Sequence, residues 1–164
     1  TDEWLDEIIG RATPFKVRYG LSLLAVDYLQ LIADCKSPER GATEASAIGR
    51  VTRALKRFAV RENCVVILLS QLNRDSERDD RPPRLSDLRG SGSIEEDANR
   101  VIFMDRPREI PGEFAGLDGQ PDTQNATDDR DWHFIRLIQA KGRNQGTGVA
   151  ALRLDRAIAR LRRV

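Results

Sequence analysis

Two short apolar runs constrain this chain more than anything else in it. Leu21 to Val26 and Val65 to Leu69 are each an unbroken string of mostly apolar residues, too short for an independent helix. Between them, Glu44 to Asn63 repeats at helical spacing, with Ala45, Ile48, Val51, Leu55, Phe58 and Ala59 on one stripe. Buried strand, amphipathic helix, buried strand is the signature of a parallel sheet with helices on its faces. Val101 to Met104 supplies a third run of the same kind, read as a third buried strand.

Around this frame the remaining segments take their places. Asp2 to Thr13 carries Trp4, Leu5, Ile8, Ile9 and Ala12 at helical spacing, with Asp2 as the expected N-cap and Pro14 as the expected stop. Ser86 to Ala98 holds a short helix starting near Ser93, with Glu95, Glu96 and Asp97 suited to its N-terminal half. Trp132 to Ala140, Val149 to Leu154 and Ile158 to Leu161 read as strands, the first two joined by the tight turn "KGRNQGTG", and they suggest an antiparallel extension at one sheet edge. Asp34 to Thr43 and Asp75 to Pro83 read as polar loops. Pro107 to Asp131 has no periodicity and reads as a mobile loop or insert.

Composition narrows the chemistry. With 164 residues, 40% hydrophobic and 32% charged, the chain is long enough for one domain with a core and is globular in composition. A net charge of +1 gives no global basic bias, so any nucleic-acid surface must come from local clustering. Cys35 and Cys64 have no metal-ligand spacing and fit thiols in a reducing compartment. His133 is the only histidine, which argues against Ser-His-Asp and His-based zinc chemistry. No run approaches the roughly 18 residues of a membrane span. The chain begins Thr-Asp-Glu-Trp-Leu, without Met or a signal pattern, and reads as a cytoplasmic fragment of a longer chain.

The candidate site lies where the strands end. In "LSLLAVDYLQLI" the first run stops at a carboxylate, Asp27, and the second run is followed by Gln71. In sheets of this class, ligands bind beyond the carboxyl ends of the strands. A carboxylate there suits a hydrated Mg²⁺, which takes one or two carboxylates plus phosphate oxygens. A neighbouring amide could sense a terminal phosphate or orient water. A carboxylate capping a turn or helix explains Asp27 equally well on the strand pattern alone.

Four stretches in order, "LLAVDYLQLI", "VVILLSQLNR", "DLRGSGSIEEDA" and "KGRNQGTG", resemble DnaB-type replicative helicases, whose motor domain is RecA-like. The pairing of "SQLNR" with "DLRGSGSIEEDA" is the specific part, and the resemblance covers nearly the whole chain. It implies an α/β, RecA-like fold of the P-loop NTPase class: a mostly parallel sheet flanked by helices, with antiparallel edge strands at the C-terminus. Residues 1–164 would be the C-terminal part of one such domain. It implies ATP and Mg²⁺ as cofactors, with Asp27 the Walker B acid and Gln71 the sensor that couples nucleotide state to the DNA loops. Lys141 and Arg143 would reach the neighbouring subunit's ATP site as piston and arginine finger. Arg89, Gly90 and Gly92 would lie on a loop touching the single-stranded DNA backbone. The implied partners are single-stranded DNA, further copies of the chain in a hexameric ring, primase and a helicase loader, in a bacterial or phage-encoded setting.

Departures from the family pattern are also legible. No G-x-x-x-x-G-K-[ST] phosphate loop occurs in these residues, so the chain by itself should hydrolyse ATP poorly. Gly90 stands where the family is usually acidic, and Gly142 where it often has Gln. Arg50, Arg53, Arg57 and Arg61 form a basic stripe on the long helix, read as a solvated face or subunit contact. The alternative function is a non-catalytic, degenerate RecA-like module that binds a helicase ring or single-stranded DNA. A recombinase-type ATPase shares the sheet and the acid but not the two specific motifs.

Overall fold

The computed structural model describes residues 3–33, 43–73, 81–88, 90–107, 112, 132–155 and 160–163. Arg89, the Asp2 cap and nearly all of the 107–131 stretch lie outside the described residues, as do Cys35 and most of the two expected polar loops. The elements, in order, are helix α1 (Glu3–Tyr19), strand β1 (Leu23–Val26), the one-turn helix α2 (Leu29–Ile32), helix α3 (Glu44–Arg61), strand β2 (Val65–Leu68), a 3₁₀ turn (Leu85–Asp87), helix α4 (Ser91–Asp97), and strands β3 (Arg100–Asp105), β4 (Trp132–Gly142), β5 (Gly148–Asp155) and β6 (Arg160–Arg163). They form two compact units, the first running through α4 and the second built on β3 to β6.

In the first unit, β1 and β2 pair in parallel, with Leu23 opposite Val65 and Val26 opposite Leu68. The helix between them is well specified at both ends. Thr43 caps α3 through its side chain, which accepts from Ser46 N–H. At the other end Asn63 takes a left-handed φ of 46°. Cys64 N–H then bonds to Ala59 O and Asn63 N–H to Val60 O, a glycine-type helix stop carried by asparagine. That stop turns the chain straight into β2. The buried face of α3 is Ala47, Ile48, Gly49, Val51, Thr52, Leu55 and Phe58. Each large apolar side chain buried there contributes roughly 1.5–3 kcal/mol. The stripe is the expected one shifted toward Ala47, while Ala45 is exposed. Arg53, Arg57 and Arg61 are exposed, as a solvated face would be.

Helix α1 corrects one expectation. Pro14 does not stop it; the helix runs on to Tyr19. Proline's fixed φ is helical, and the only bond it forfeits is the one to the Gly10 carbonyl. Both residues are exposed, so water can serve that carbonyl. Helix α4 is a second correction. It begins at Ser91 rather than Ser93, so Glu95, Glu96 and Asp97 fall in its second half and no acidic residue lies in its first turn.

The strands differ from expectation in burial and in pairing. Val65 and Ile67 are 58% and 45% exposed, and Ile102 and Met104 are 54% and 64% exposed, while Val101 and Phe103, which alternate with the latter pair, are buried. An apolar run reads as covered on both faces; among the described residues only one face of each strand is covered. Among the described residues, parallel pairing is confined to the two-stranded sheet of β1 and β2. The second unit is a four-stranded antiparallel sheet in the order β3-β4-β5-β6, so β3 joins the antiparallel part. The antiparallel part is thus larger than the sequence pattern implied. No described helix is long and apolar enough to cross a membrane.

Candidate functional site at the strand ends

Asp27 follows β1 directly, and Gln71 lies three residues past the end of β2. Because the two strands are parallel neighbours in register, their ends emerge side by side. Backbone bonds continue past the ladder. Leu69 N–H donates to Val26 O at 3.0 Å, and Leu29 N–H donates to Leu69 O at 2.8 Å. The Asp27–Tyr28 peptide is cis. Asp27 is exposed, and among the described residues its carboxylate makes no hydrogen bond or ion pair. Tyr28, not Asp27, holds the N-cap position of α2, and no side chain caps that helix. The capping explanation of Asp27 therefore has no hydrogen bond to rest on.

Among the described residues, Asp27 is the only charged one lining a groove of about 330 Å³ whose other walls include Trp4, Ile8, Leu24 and Leu31. No group of three or more His, Cys, Asp or Glu side chains that could hold a metal ion occurs among the described residues. A lone carboxylate fits a hydrated Mg²⁺ that draws its other ligands from water and phosphate, and does not fit an all-protein cage.

Beyond Gln71 the chain leads to the segment around Gly90. Leu72 bridges Leu88, and Asn73 N–H donates to Asp87 O at 2.8 Å. Gly90 has φ 68°, and a Cβ there would lie 2.9 Å from Ile48 Cδ1. Only glycine suits both the left-handed backbone and that approach. Gly49 on α3 makes a second close approach, its virtual Cβ lying 2.8 Å from Ser93 Oγ. Thr52, buried on α3, donates to Asp97 Oδ2 at 2.6 Å. Helix α4 is thereby fixed to α3 at both ends. Gly92 is exposed with open space around it.

Lys141 and Arg143 belong to the second unit, in and just after the end of β4. Lys141 pairs in register with Val101, and a bulge follows between Val101 and Ile102. Arg143 N–H donates to Asn99 O at 2.9 Å. Gln139 Nε2 donates to Gly146 O at 2.6 Å across the turn. A Cβ on Gly142 would lie 2.5 Å from the Gln145 carbonyl oxygen, so the turn is shaped around a missing side chain. Lys141 is half-buried and Arg143 exposed. Further along, Arg136 and Asp105 form a part-buried ion pair across β3 and β4 that the sequence pattern did not single out.

Asp27, Gln71, Gly90 and Gly92 thus share the first unit, and Lys141 and Arg143 share one hairpin of the second. Sequence reasoning missed Thr52 and Gln30 and gave Asp97 only a place in the first half of its helix; their roles appear in their contacts, and an interior threonine on the apolar face of α3 was the one available signal.

Adjacent parallel strands joined by an amphipathic crossover helix, in a chain that also carries a four-stranded antiparallel sheet, are part of a RecA-like helicase ATPase fold. Solved structures agree. One described as an ATPase domain matches 98% of this chain and 51% of its own, with a TM-score of 0.73 and 26% identity. Another, "The Structure Of A DnaB-Like Replicative Helicase And Its Interactions With Primase", matches 90% of this chain and 32% of its own, with a TM-score of 0.66 and 28% identity. The Replicative DNA helicase DnaB of Rickettsia prowazekii (strain Madrid E) is 36% identical over 154 residues, 92% of this chain and 31% of that protein. The Replicative DNA helicase DnaB of Rickettsia bellii is 47% identical over 103 residues, 62% of this chain and 20% of that protein. The family model described as DnaB-like helicase C terminal domain matches residues 3–163. The chain belongs to that family, and it spans about a third or less of the length of these relatives.

Proposed function

We propose that this chain forms the C-terminal part of the motor of a replicative DNA helicase, which couples ATP hydrolysis to movement along single-stranded DNA and to strand separation. The observation that carries this reading is the parallel, in-register pairing of the two strands that Asp27 and Gln71 follow, in a chain whose relatives are named replicative DNA helicases. Asp27 holds Mg²⁺ on the nucleotide, and Gln71 faces the phosphate end. The metal, when bound, supplies charge neutralisation for phosphoryl transfer. Lys141 and Arg143 complete the site of a neighbouring copy in a hexameric ring, where the guanidinium stabilises transition-state charge. Arg89, Gly90 and Gly92 contact the phosphate backbone of single-stranded DNA, so binding is sequence-tolerant and salt-sensitive. Primase and a loader are further partners, and the setting is the cytoplasm of a bacterium or phage-infected cell.

The test is Mg²⁺-dependent ATP turnover of the ring-forming protein that contains this chain. Asp27→Ala lowers turnover by about 100-fold or more. Its thermal midpoint stays put, because the carboxylate makes no hydrogen bond or ion pair among the described residues. Undiminished turnover in that variant rejects the assignment.

A further inference from the structure

Gln30, on α2, faces the segment that carries Gln71. Its Oε1 accepts from Gln71 N–H at 3.1 Å. Its Nε2 donates to Ser70 Oγ at 3.0 Å and to Gln71 O at 3.4 Å. One planar amide thus meets both backbone groups of Gln71, as a neighbouring strand would. The β1–β2 ladder ends at Val26 and Leu68, and the backbone bonds beyond it reach only Leu69. Gln30 extends the pairing to residue 71 with a side chain.

The residue type is specific to that task. An amide side chain offers a donor and an acceptor on separate atoms of one planar neutral group, spaced as in a peptide, which a single hydroxyl does not. Glutamate keeps the acceptor and loses the donor; asparagine is one methylene shorter. What lies downstream gives the contact its consequence. The residues just after Gln71 bridge to Leu88 and Asp87, which lead into Gly90. What lies upstream is Asp27, three residues before Gln30 in the same tight turn.

We propose that Gln30 is a positioning residue that clamps the backbone of Gln71 to the Asp27 turn and so holds the connection from the strand ends to the Gly90 segment in register. The clamp is a property of the fold; its consequence for coupling rests on the helicase reading above. A displacement of the turn on nucleotide binding is passed through the Gln30 amide to residues 71–73 and from there to 87–88. Without the clamp, both ends keep their chemistry but lose their mutual register.

The experiment uses the full-length protein with Gln30→Ala, Gln30→Glu and the volume-conserving Gln30→Met. Amide hydrogen exchange at Gln71, Leu72 and Asn73 is read first, and it needs no activity. Exchange at these positions is expected to quicken about 3- to 10-fold in Gln30→Ala and Gln30→Met, and less in Gln30→Glu, which keeps the acceptor. ATP turnover is then read with and without a single-stranded oligonucleotide. Stimulation of kcat by the oligonucleotide is expected to fall several-fold while KM for ATP changes less than about twofold. Unchanged exchange in Gln30→Met overturns the clamp. Faster exchange with full stimulation overturns the coupling. An unsubstituted protein with no turnover in either condition sinks the helicase reading instead, and the exchange result still decides the clamp.

Discussion

The strand-end pair and the β4–β5 hairpin present functional side chains in opposite ways. Gln30 and Gln71 meet across 41 residues of sequence, whereas Gln139 and Gly146, which shape the turn around Lys141 and Arg143, are 7 apart. The strand ends belong to a two-stranded sheet with an exposed apolar face; the hairpin belongs to a four-stranded antiparallel sheet. The hairpin combines that local turn contact with pairing to β3, where Lys141 lies opposite Val101 and Arg143 N–H reaches Asn99 O, so two cations sit on a broad ladder. The strand ends depend on long-range contacts and therefore respond to anything that shifts α2, α3 or the segment beyond Gln71. A fixed presenter suits a group that must arrive in a set geometry, and a responsive one suits a sensor.

The largest effect that separates the two regions is expected from Arg143→Ala, which should lower turnover about 10³-fold. Asp27→Ala should be nearly as inactive. If each site is shared by two copies, mixing the two inactive variants restores part of the turnover, because some interfaces pair an intact Asp27 with an intact Arg143. No recovery over a range of mixing ratios would place both residues in one copy's site and break the comparison.

Gly142→Ala comes next. Its new methyl would meet the Gln145 carbonyl at 2.5 Å, so the turn must open, at about 1–3 kcal/mol. Chemical denaturation should show that loss. Turnover should fall alongside it, because Arg143 is displaced. A variant that keeps full stability and turnover would mean the turn is softer than its contacts imply.

Thr52→Val comes last, because it should cost stability without lowering turnover. It removes the 2.6 Å bond to Asp97 and leaves that half-buried carboxylate short of a donor, costing about 1–3 kcal/mol of stability. The loss should appear as faster hydrogen exchange in α4, with the β4–β5 hairpin unchanged. Equal loosening of both regions would erase the distinction drawn here.

Several elements were legible before any fold was known, and the reason is locality. Helix α3 announces itself by spacing, and Thr43 and Asn63 bracket it within a few residues of its observed ends. Asp27 and Gln71 stand out because each follows an apolar run. The turn holding Lys141 and Arg143 is marked by its glycines. The misreadings are local rules overruled by surroundings. Pro14 stays helical because its lost bond faces water, and α4 starts early because Gly90 can adopt a left-handed φ against Ile48.

What the sequence determined alone was which segments become helix or strand and which polar side chains follow the first two apolar runs, since those follow from spacing and backbone preference along the chain. Only the tertiary structure decided that β3 would pair antiparallel with β4, that one face of each apolar strand would stay open, and that Gln30 would reach Gln71 and Thr52 would reach Asp97. Apolarity tells a residue to leave water without naming its neighbour, and a hydrogen-bonding side chain carries no mark of the distant group it will meet; both are settled by which surfaces come to face each other.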